Sequence, residues 1–195
     1  MGKIFYLMGK SSTGKDTIYR NLIQDQQLML KTVVPYTTRP IRAGEVHGVE
    51  YYFTDESGLQ DAKNQGLLIE ERAYDTCHGI WKYFTVYDKH MDLEHHHYLM
   101  IGTLESYLKT RDYFGQETII PILIDLDDGE RLQRALNREK KQFHPKYQEL
   151  CRRFLADAED FSDQKIEYAK ISHRFYNENL EDCLKEIKGY IKNHM

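Results

Sequence analysis

A glycine-rich segment near the start of the chain constrains the fold more than any other feature. It reads Gly-Lys-Ser-Ser-Thr-Gly-Lys-Asp-Thr over residues 9–17 and follows a short apolar run at residues 3–8. Apolar residues then recur at helical spacing from residue 18 to residue 23. A buried strand, a glycine loop and a helix in direct succession are typical of a loop that wraps a phosphate group. The sequence therefore predicts a nucleoside triphosphate site at the start of an α/β domain.

The chemistry of phosphate binding gives each part of this loop a role. The glycines let several backbone N–H groups point at one anion, the helix N-terminus adds partial positive charge, and Lys15 adds a full one. Asp16 stands where such loops usually carry Ser or Thr for Mg²⁺, and Thr17 keeps a hydroxyl one position later. We expect Mg²⁺ to arrive with the nucleotide, with Thr17 or Asp16 as its candidate protein contacts. The predicted phosphate-binding residues are Gly9, Ser11, Ser12, Thr13, Gly14, Lys15, Asp16 and Thr17.

Composition limits the class of protein. The 195 residues are 41% hydrophobic and 30% charged, with a formal net charge of −4, which suits one soluble α/β domain and disfavours general nucleic-acid binding. Cys77, Cys151 and Cys183 match neither a disulfide nor a metal framework, and we expect buried, reduced thiols. The chain has no apolar run long enough for a signal or membrane segment. We therefore expect a cytoplasmic protein without a membrane partner.

Strand-like and helical segments alternate along the chain. We predict strands at residues 30–34, 51–53, 67–69, 97–101, 118–126 and 168–171, a β-meander over 73–86, and a polar loop over 35–50. We predict helices at residues 56–64, after N-caps at Thr103 and Asp127, after Pro145, and towards the C-terminus with Leu180, Cys183, Leu184, Ile187 and Ile191 inward. This alternation predicts a parallel sheet with helices on both faces.

Two of these helices carry arginines. In the helix after Asp127, Leu132, Ala135 and Leu136 share one face, while Arg131, Arg134 and Arg138 share another. In the helix after Pro145, the predicted apolar stripe is Tyr147, Leu150, Cys151, Phe154, Ala158 and Phe161, with Arg152 and Arg153 outside it. We therefore expect basic helix faces that could cover a bound phosphate.

A second motif follows the phosphate loop. Residues 36–53 read Tyr-Thr-Thr-Arg-Pro-Ile-Arg-Ala-Gly-Glu-Val-His-Gly-Val-Glu-Tyr-Tyr-Phe, and Arg39 and Arg42 could converge on one phosphate. This stretch resembles the substrate-binding motif of guanylate kinases, T-T-R-x-x-R-x-G-E-x-x-G-x-x-Y-x-F. The resemblance implies that Arg39, Arg42 and Tyr51 hold the phosphate of a nucleoside monophosphate, and that Glu45 orients the arginines.

The resemblance extends, less densely, over essentially the whole chain. It implies that Glu70, in Leu68-Ile69-Glu70, accepts hydrogen bonds from the guanine ring, and that His78 and Gly79 stand where the family has Tyr-Gly. It also implies a lid that brings arginines over the phosphates. Arg138 and Arg153 match the lid arginines best and join Lys15 as the predicted catalytic residues.

Several positions depart from the family pattern on the acceptor side. Ile101-Gly102-Thr103 stands where guanylate kinases carry an acidic D-x-D, and Pro35 replaces a serine ahead of the Thr-Thr-Arg run. Ile80-Trp81-Lys82 follows Gly79 where the family has Ser or Thr. These departures affect base recognition more than phosphoryl transfer.

The resemblance implies a P-loop nucleoside monophosphate kinase fold, with a parallel sheet core flanked by helices, a nucleoside-monophosphate-binding subdomain and a mobile lid. The expected single domain of 195 residues has its core at about 1–34, 97–137 and 163–195, the acceptor region at about 35–96 and the lid at about 138–162. The implied activity is ATP- and Mg²⁺-dependent phosphorylation of GMP or dGMP, by a monomer or homodimer whose partners are small-molecule nucleotides. Two alternatives remain open: a catalytically weak guanylate kinase-like binding module, and a kinase of the same fold for another phosphorylated acceptor.

Overall fold

The computed structural model describes residues 1–42, 44–49, 51–76 and 79–195. The chain divides into two compact units, the first formed by Met1–Lys31 with His96–Met195 and the second by Thr32–His95. The strands are β1 (Ile4–Met8), β2 (Lys31–Thr32), β3 (Tyr36–Thr37), β4 (Tyr52–Phe53), β5 (Leu68–Thr76), β6 (Gly79–Val86), β7 (Tyr98–Gly102), β8 (Ile119–Asp125) and β9 (Arg174–Tyr176). The helices are α1 (Lys15–Gln24), α2 (Glu56–Asn64), α3 (Leu104–Phe114), α4 (Asp128–Glu139), α5 (Tyr147–Asp160), α6 (Asp163–Tyr168) and α7 (Leu180–His194).

Strand β1 forms the centre of the first sheet, whose order is β2-β7-β1-β8-β9. It pairs in parallel with β7 and β8, so that Ile4 lies opposite Tyr98 on one side and Ile119 on the other. Strand β9 continues the sheet in parallel with β8. All five residues of β1 are buried, as expected for a strand covered on both faces. The predicted parallel core is confirmed.

Helices cover both faces of this sheet. Phe5 and Leu7 lie in one core with apolar side chains of α1 and α7. Tyr6 points to the opposite face, because successive side chains of a strand alternate, and it packs edge-on against Tyr107 of α3 with ring centroids 5.7 Å apart. The central strand thus anchors helices above and below, as the sequence predicted.

Capping residues set the starts of two core helices. The side chain of Thr103 accepts a hydrogen bond from the Ser106 N–H at the start of α3. The side chain of Asp127 accepts from the N–H groups of Gly129 and Glu130 at 2.9 and 3.1 Å at the start of α4. Both N-caps were predicted and are confirmed, since each satisfies N–H groups that a helix leaves free.

The second unit has its own sheet, in the order β4-β3-β6-β5. Strand β6 pairs antiparallel with β3 and β5, while β3 pairs in parallel with β4. Helix α2, predicted at the same residues, buries Leu59 and Ala62 against Phe84 and Val86. The predicted meander over residues 73–86 is thus the end of β5 followed by β6.

Three predicted segments differ from the structure. Residues 168–171 are not a strand: α6 ends at Tyr168, and the last strand is β9, at Arg174–Tyr176. Ile166, Ala169 and Ile171 are buried there, and so short an apolar run fits the end of a helix as well as a strand. Strand β2 covers two residues rather than 30–34, and the predicted loop over 35–50 contains β3.

The predicted faces of α4 and α5 are partly wrong. Arg131 is 1% exposed and Leu132 is 40% exposed, which reverses the expected burial in α4. In α5, Leu150 is buried, but Tyr147 and Cys151 are exposed. Cys183 is buried as expected, whereas Cys77 lies outside the described residues. Within the described ranges, no helix is long and apolar enough to cross a bilayer.

Candidate active site

The phosphate loop joins β1 to α1 and leaves no room for side chains at two of its glycines. A Cβ atom on Gly9 would lie 2.4 Å from the Ile124 carbonyl oxygen of β8. Gly14 is the N-cap of α1 with φ +91°, and a Cβ atom there would lie 2.3 Å from Asn177 Nδ2. Both positions therefore require glycine. At Gly9 the backbone of β8 leaves no space for a side chain, and at Gly14 both the nearby Asn177 side chain and the left-handed conformation disfavour any other residue.

A cavity of about 540 Å³ opens beside the start of α1. Its lining includes Lys15, Asp16 and Thr17 from the loop and helix, together with the guanidinium-bearing residues Arg20 and Arg134. A helix N-terminus surrounded by cations favours an anionic ligand. This cavity is the candidate site for the phosphates of a nucleotide.

Both arginines favoured by sequence lie near the loop. Arg138 Nη2 is 3.4 Å from Ser12 Oγ, in a loop residue with φ +66°. Arg153 of α5 lines a small cavity together with Ser11, Ser12 and Arg138. The structure thus brings Arg138 and Arg153 to the same part of the loop.

Side chains distant in sequence hold the loop, and sequence reasoning did not single them out for this role. Asn177, 4% exposed and directly after β9, donates from Nδ2 to the Thr13 carbonyl at 2.7 Å. Asp157 of α5 accepts from the Ser11 N–H at 2.8 Å, and Arg131 of α4 donates to the Ser11 carbonyl at 3.3 Å. The signals available in the sequence were a polar residue close after a strand, for Asn177, and a position on the arginine-bearing face of a helix, for Arg131.

The second unit assembles the arginine motif around Glu45. Arg39 is 3% exposed and donates from Nη1 and Nη2 to the two carboxylate oxygens of Glu45 at 2.8 and 2.5 Å. The backbone N–H of Arg42 donates to the same carboxylate at 2.8 Å. The Arg39 guanidinium also lies 5.1 Å from the centre of the Tyr51 ring. Arg39, Glu45 and Tyr51 are thus in direct contact, while the Arg42 side chain is exposed.

The two hydrogen bonds between Arg39 and Glu45 determine the charge state of this cluster. Hydrogen bonds from Arg39, and then from the Arg42 backbone, lower the pKa of Glu45 to about 2. The same pairing raises the pKa of Arg39. Glu45 therefore stays ionised at neutral pH and fixes the plane of the Arg39 guanidinium.

Glu70 lies on β5, buried at 4% exposure. Its carboxylate accepts from Thr85 Oγ1 at 2.9 Å and forms an ion pair with Arg72, whose Nε is 3.1 Å away. Arg72 Nη2 also donates to this carboxylate at 3.4 Å, so both of its oxygens are hydrogen-bonded. Gly79 begins β6 with φ +103°, and His78 lies outside the described residues.

The comparisons with known proteins agree on one family. The guanylate kinase family model matches residues 1–79. The chain is 26% identical over 191 residues to the guanylate kinase of Caldanaerobacter subterraneus subsp. tengcongensis, covering 97% of this chain and 86% of that protein. It is 38% identical over 73 residues to the guanylate kinase of Nostoc sp., covering 37% and 36% of the two chains.

A solved structure supports the fold. The crystal structure of guanylate kinase from Anaplasma phagocytophilum aligns with a TM-score of 0.61 at 20% sequence identity, covering 98% of this chain and 85% of that chain. A phosphate loop after the central strand of a parallel sheet, combined with this likeness, defines a P-loop nucleoside monophosphate kinase fold. Within that class, the chain is similar to guanylate kinases, by family model over residues 1–79 and by sequence over nearly its whole length.

Proposed function

We propose that the protein is a guanylate kinase that transfers the γ-phosphoryl group of ATP to GMP or dGMP. The observation that carries this proposal is the Arg39–Glu45 pair with Tyr51 and the Arg42 backbone around it. Phosphate loops occur in many nucleotide-binding proteins, whereas a second built cluster of arginines suits an acceptor with its own phosphate. The similarity to guanylate kinases supports the same assignment.

The donor half of the reaction belongs to the first unit. Backbone N–H groups of the phosphate loop and the Lys15 ammonium would bind the outer phosphates of ATP, at the N-terminus of α1. An oxygen of the GMP phosphate attacks the γ-phosphorus, and the bond from that phosphorus to the β–γ bridging oxygen breaks. The bonding electron pair leaves with ADP. Lys15, Arg138 and Arg153 would stabilise the negative charge spread over the transferred group.

Magnesium would enter with the nucleotide. Asp16 and Thr17 line the loop cavity and offer oxygen ligands of the kind Mg²⁺ prefers. Within the described residues, no cluster of three or more His, Cys, Asp or Glu side chains could hold a metal ion. Thr17 and Asp16 fit an ion bound mainly by phosphates and water, to which either residue would add one contact. When bound, Mg²⁺ neutralises part of the phosphate charge.

The acceptor half belongs to the second unit. Glu45 holds the Arg39 guanidinium, and the exposed Arg42 side chain supplies a second cation for the GMP phosphate, with Tyr51 as a further donor. Glu70 would accept from the N1–H and the exocyclic amine of guanine, with Gly79 and His78 completing the acceptor site. Because AMP presents a different hydrogen-bonding edge, a fixed carboxylate favours guanine.

The decisive experiment measures ADP release with ATP, Mg²⁺ and a panel of nucleoside monophosphates. GMP and dGMP should give the highest kcat/KM. Lys15→Ala should lower kcat by orders of magnitude, whereas Arg42→Met should raise the KM for GMP and leave that for ATP unchanged. GMP binding without turnover would replace this proposal with the binding module. Better turnover of another phosphorylated acceptor would replace it with the alternative kinase.

Glu70 can be tested as the base reader separately. Glu70→Gln should narrow the GMP:AMP ratio of kcat/KM, because the amide sets a donor against the donors of guanine. The matched control is Glu71→Gln, since the neighbouring Glu71 carboxylate pairs with Lys63 at 2.5 Å instead. An unchanged ratio in Glu70→Gln would remove Glu70 from the acceptor site.

The setting of the enzyme is part of the proposal. The spacing of its cysteines and the free thiols of Cys151 and Cys183 suit a reducing compartment, in keeping with a cytoplasmic enzyme of nucleotide metabolism. The expectation of a monomer or homodimer stays a prediction, to be checked by light scattering.

A further inference from the structure

Ser11 of the phosphate loop is held by side chains at both of its backbone polar groups. Its N–H donates to Asp157 Oδ2 of α5 at 2.8 Å. Its carbonyl accepts from Arg131 Nε of α4 at 3.3 Å. Because a trans peptide points its N–H opposite to its C=O, the Arg131 bond also fixes the direction of the Ser12 N–H. Two helices therefore set the orientation of consecutive peptide groups in the loop.

Arg131 is an unusual choice for such a buried position. It is 1% exposed, its Nη1 donates to Asp128 at 3.0 Å, and its guanidinium lies 4.7 Å from the centre of the Phe154 ring. Among the described residues, Nη2 has no hydrogen-bond partner. A buried donor without a partner is unfavourable, so this arginine needs a reason other than stability.

Asp157 forms a longer ion pair with that same nitrogen. Its Oδ2, which already accepts from the Ser11 N–H, lies 3.8 Å from Arg131 Nη2. Asp157 and Arg153 are four residues apart on α5, so they lie on the same side of the helix. Arg153 lines the cavity beside Ser11 and Ser12. The contact of Asp157 with Ser11 therefore brings the side of α5 that carries Arg153 against the loop.

We infer that Arg131 and Asp157 are positioning residues for the donor phosphates. Together they clamp Ser11 between α4 and α5, orient the loop N–H groups, and hold Arg153 beside the transferred phosphoryl group. This inference rests on the proposed function for the role of Arg153. Its effect on ATP binding depends only on the phosphate loop.

The test compares conservative variants in ATP binding and in turnover. Arg131→Met keeps the stem over Phe154 but removes the donors, and Asp157→Asn keeps an acceptor for Ser11 but removes the charge. Each should weaken ATP binding, measured by calorimetry with ATP and Mg²⁺, roughly tenfold, which is the loss expected for one hydrogen bond to a charged group. Each should also lower kcat while leaving the KM for GMP unchanged. Arg131→Lys should recover part of the ATP affinity.

The controls separate positioning from simple destabilisation. Asp160→Asn alters an exposed carboxylate on the same helix, 3.7 Å from Lys165, and should change neither ATP affinity nor kcat. The double variant should bind ATP no more weakly than the single variant with the lower ATP affinity, because both substitutions act through Ser11. Lower melting temperatures with unchanged ATP affinity would overturn the inference. A rise in the KM for GMP as large as the loss of ATP affinity would also overturn it.

Two further outcomes separate a failure of the clamp on Ser11 from a failure of the proposed function. If Arg131→Met does not fold, the Asp157→Asn arm decides alone, since Asp157 is partly exposed. A wild-type protein that binds ATP but phosphorylates no nucleoside monophosphate would count against the proposed function. The calorimetric arm would still accept or reject the clamp on Ser11.

Discussion

Asn177→Leu should lower both the stability of the fold and the affinity for ATP, because the Asn177 side chain makes a buried hydrogen bond to the phosphate loop. Asn177 Nδ2 donates to the Thr13 carbonyl at 2.7 Å, where both residues are almost fully buried. Leucine has a similar volume but no donor, so the Thr13 carbonyl loses this partner. The expected cost is about 1–3 kcal/mol, the usual cost of leaving a buried acceptor unpaired. For a chain of this size that corresponds to a fall in Tm of about 2–12 °C.

The same hydrogen bond fixes the direction of the Gly14 N–H, which points opposite to the Thr13 carbonyl across a trans peptide. Asn177→Leu should therefore also raise the KM for ATP. The matched control is Asn179→Ala: the Asn179 side chain caps α7 by accepting from Glu181 and Asp182 N–H groups. Loss of that cap should cost about 0.5–2 kcal/mol and leave the KM for ATP unchanged. Equal KM values for ATP in the two variants would refute the loop-orienting role of Asn177.

Two further predictions follow from single residues. Gly9→Ala should abolish ATP binding, because the new Cβ atom would lie 2.4 Å from the Ile124 carbonyl oxygen. The control is Gly189→Ala in α7, where a Cβ atom would meet nothing within 4 Å. This control should raise the free energy of unfolding, measured in urea, by about 0.5–1 kcal/mol. Glu45 has a pKa lowered from 4.5 to about 2, so its contribution to stability should be present above pH 4.5 and be lost as pH falls towards 2. Glu45→Gln should flatten this pH dependence, and an unchanged slope would contradict the pairing with Arg39.

Local signals were enough to predict the elements that begin the chain. The apolar run before the glycine loop, the helix after it and the Thr103 cap each depend on neighbours within a few residues, and all are confirmed. Helix α2 was predicted at its observed bounds for the same reason. The spacing of apolar residues over such short stretches repeats with the period of the helix or strand that they form, so it predicts the element directly.

The contacts that hold the phosphate loop could not be predicted in the same way. Asn177 reaches Thr13 from 164 residues away, and Asp157 reaches Ser11 from 146. Arg131 was placed on the face away from the apolar residues, because the helical pattern around it favours Leu132 as the inward residue. Burial of Arg131 depends on Asp157 of α5 and on the Ser11 carbonyl of the loop, partners on other elements that the periodicity of α4 does not contain.

At the end of β7, the positions where guanylate kinases typically carry an acidic pair have other structural roles. Ile101 packs against the core of the first unit, and the Thr103 side chain caps α3. Gly102, between them, lies against the Tyr6 hydroxyl, where a Cβ atom would be 2.2 Å away. An aspartate in place of Ile101 would carry a charge into the apolar core, which is costly without a partner. These positions serve packing and capping. Under the proposed function, recognition of the base would therefore rest on Glu70 of the second unit, whose carboxylate is held by Arg72 and Thr85.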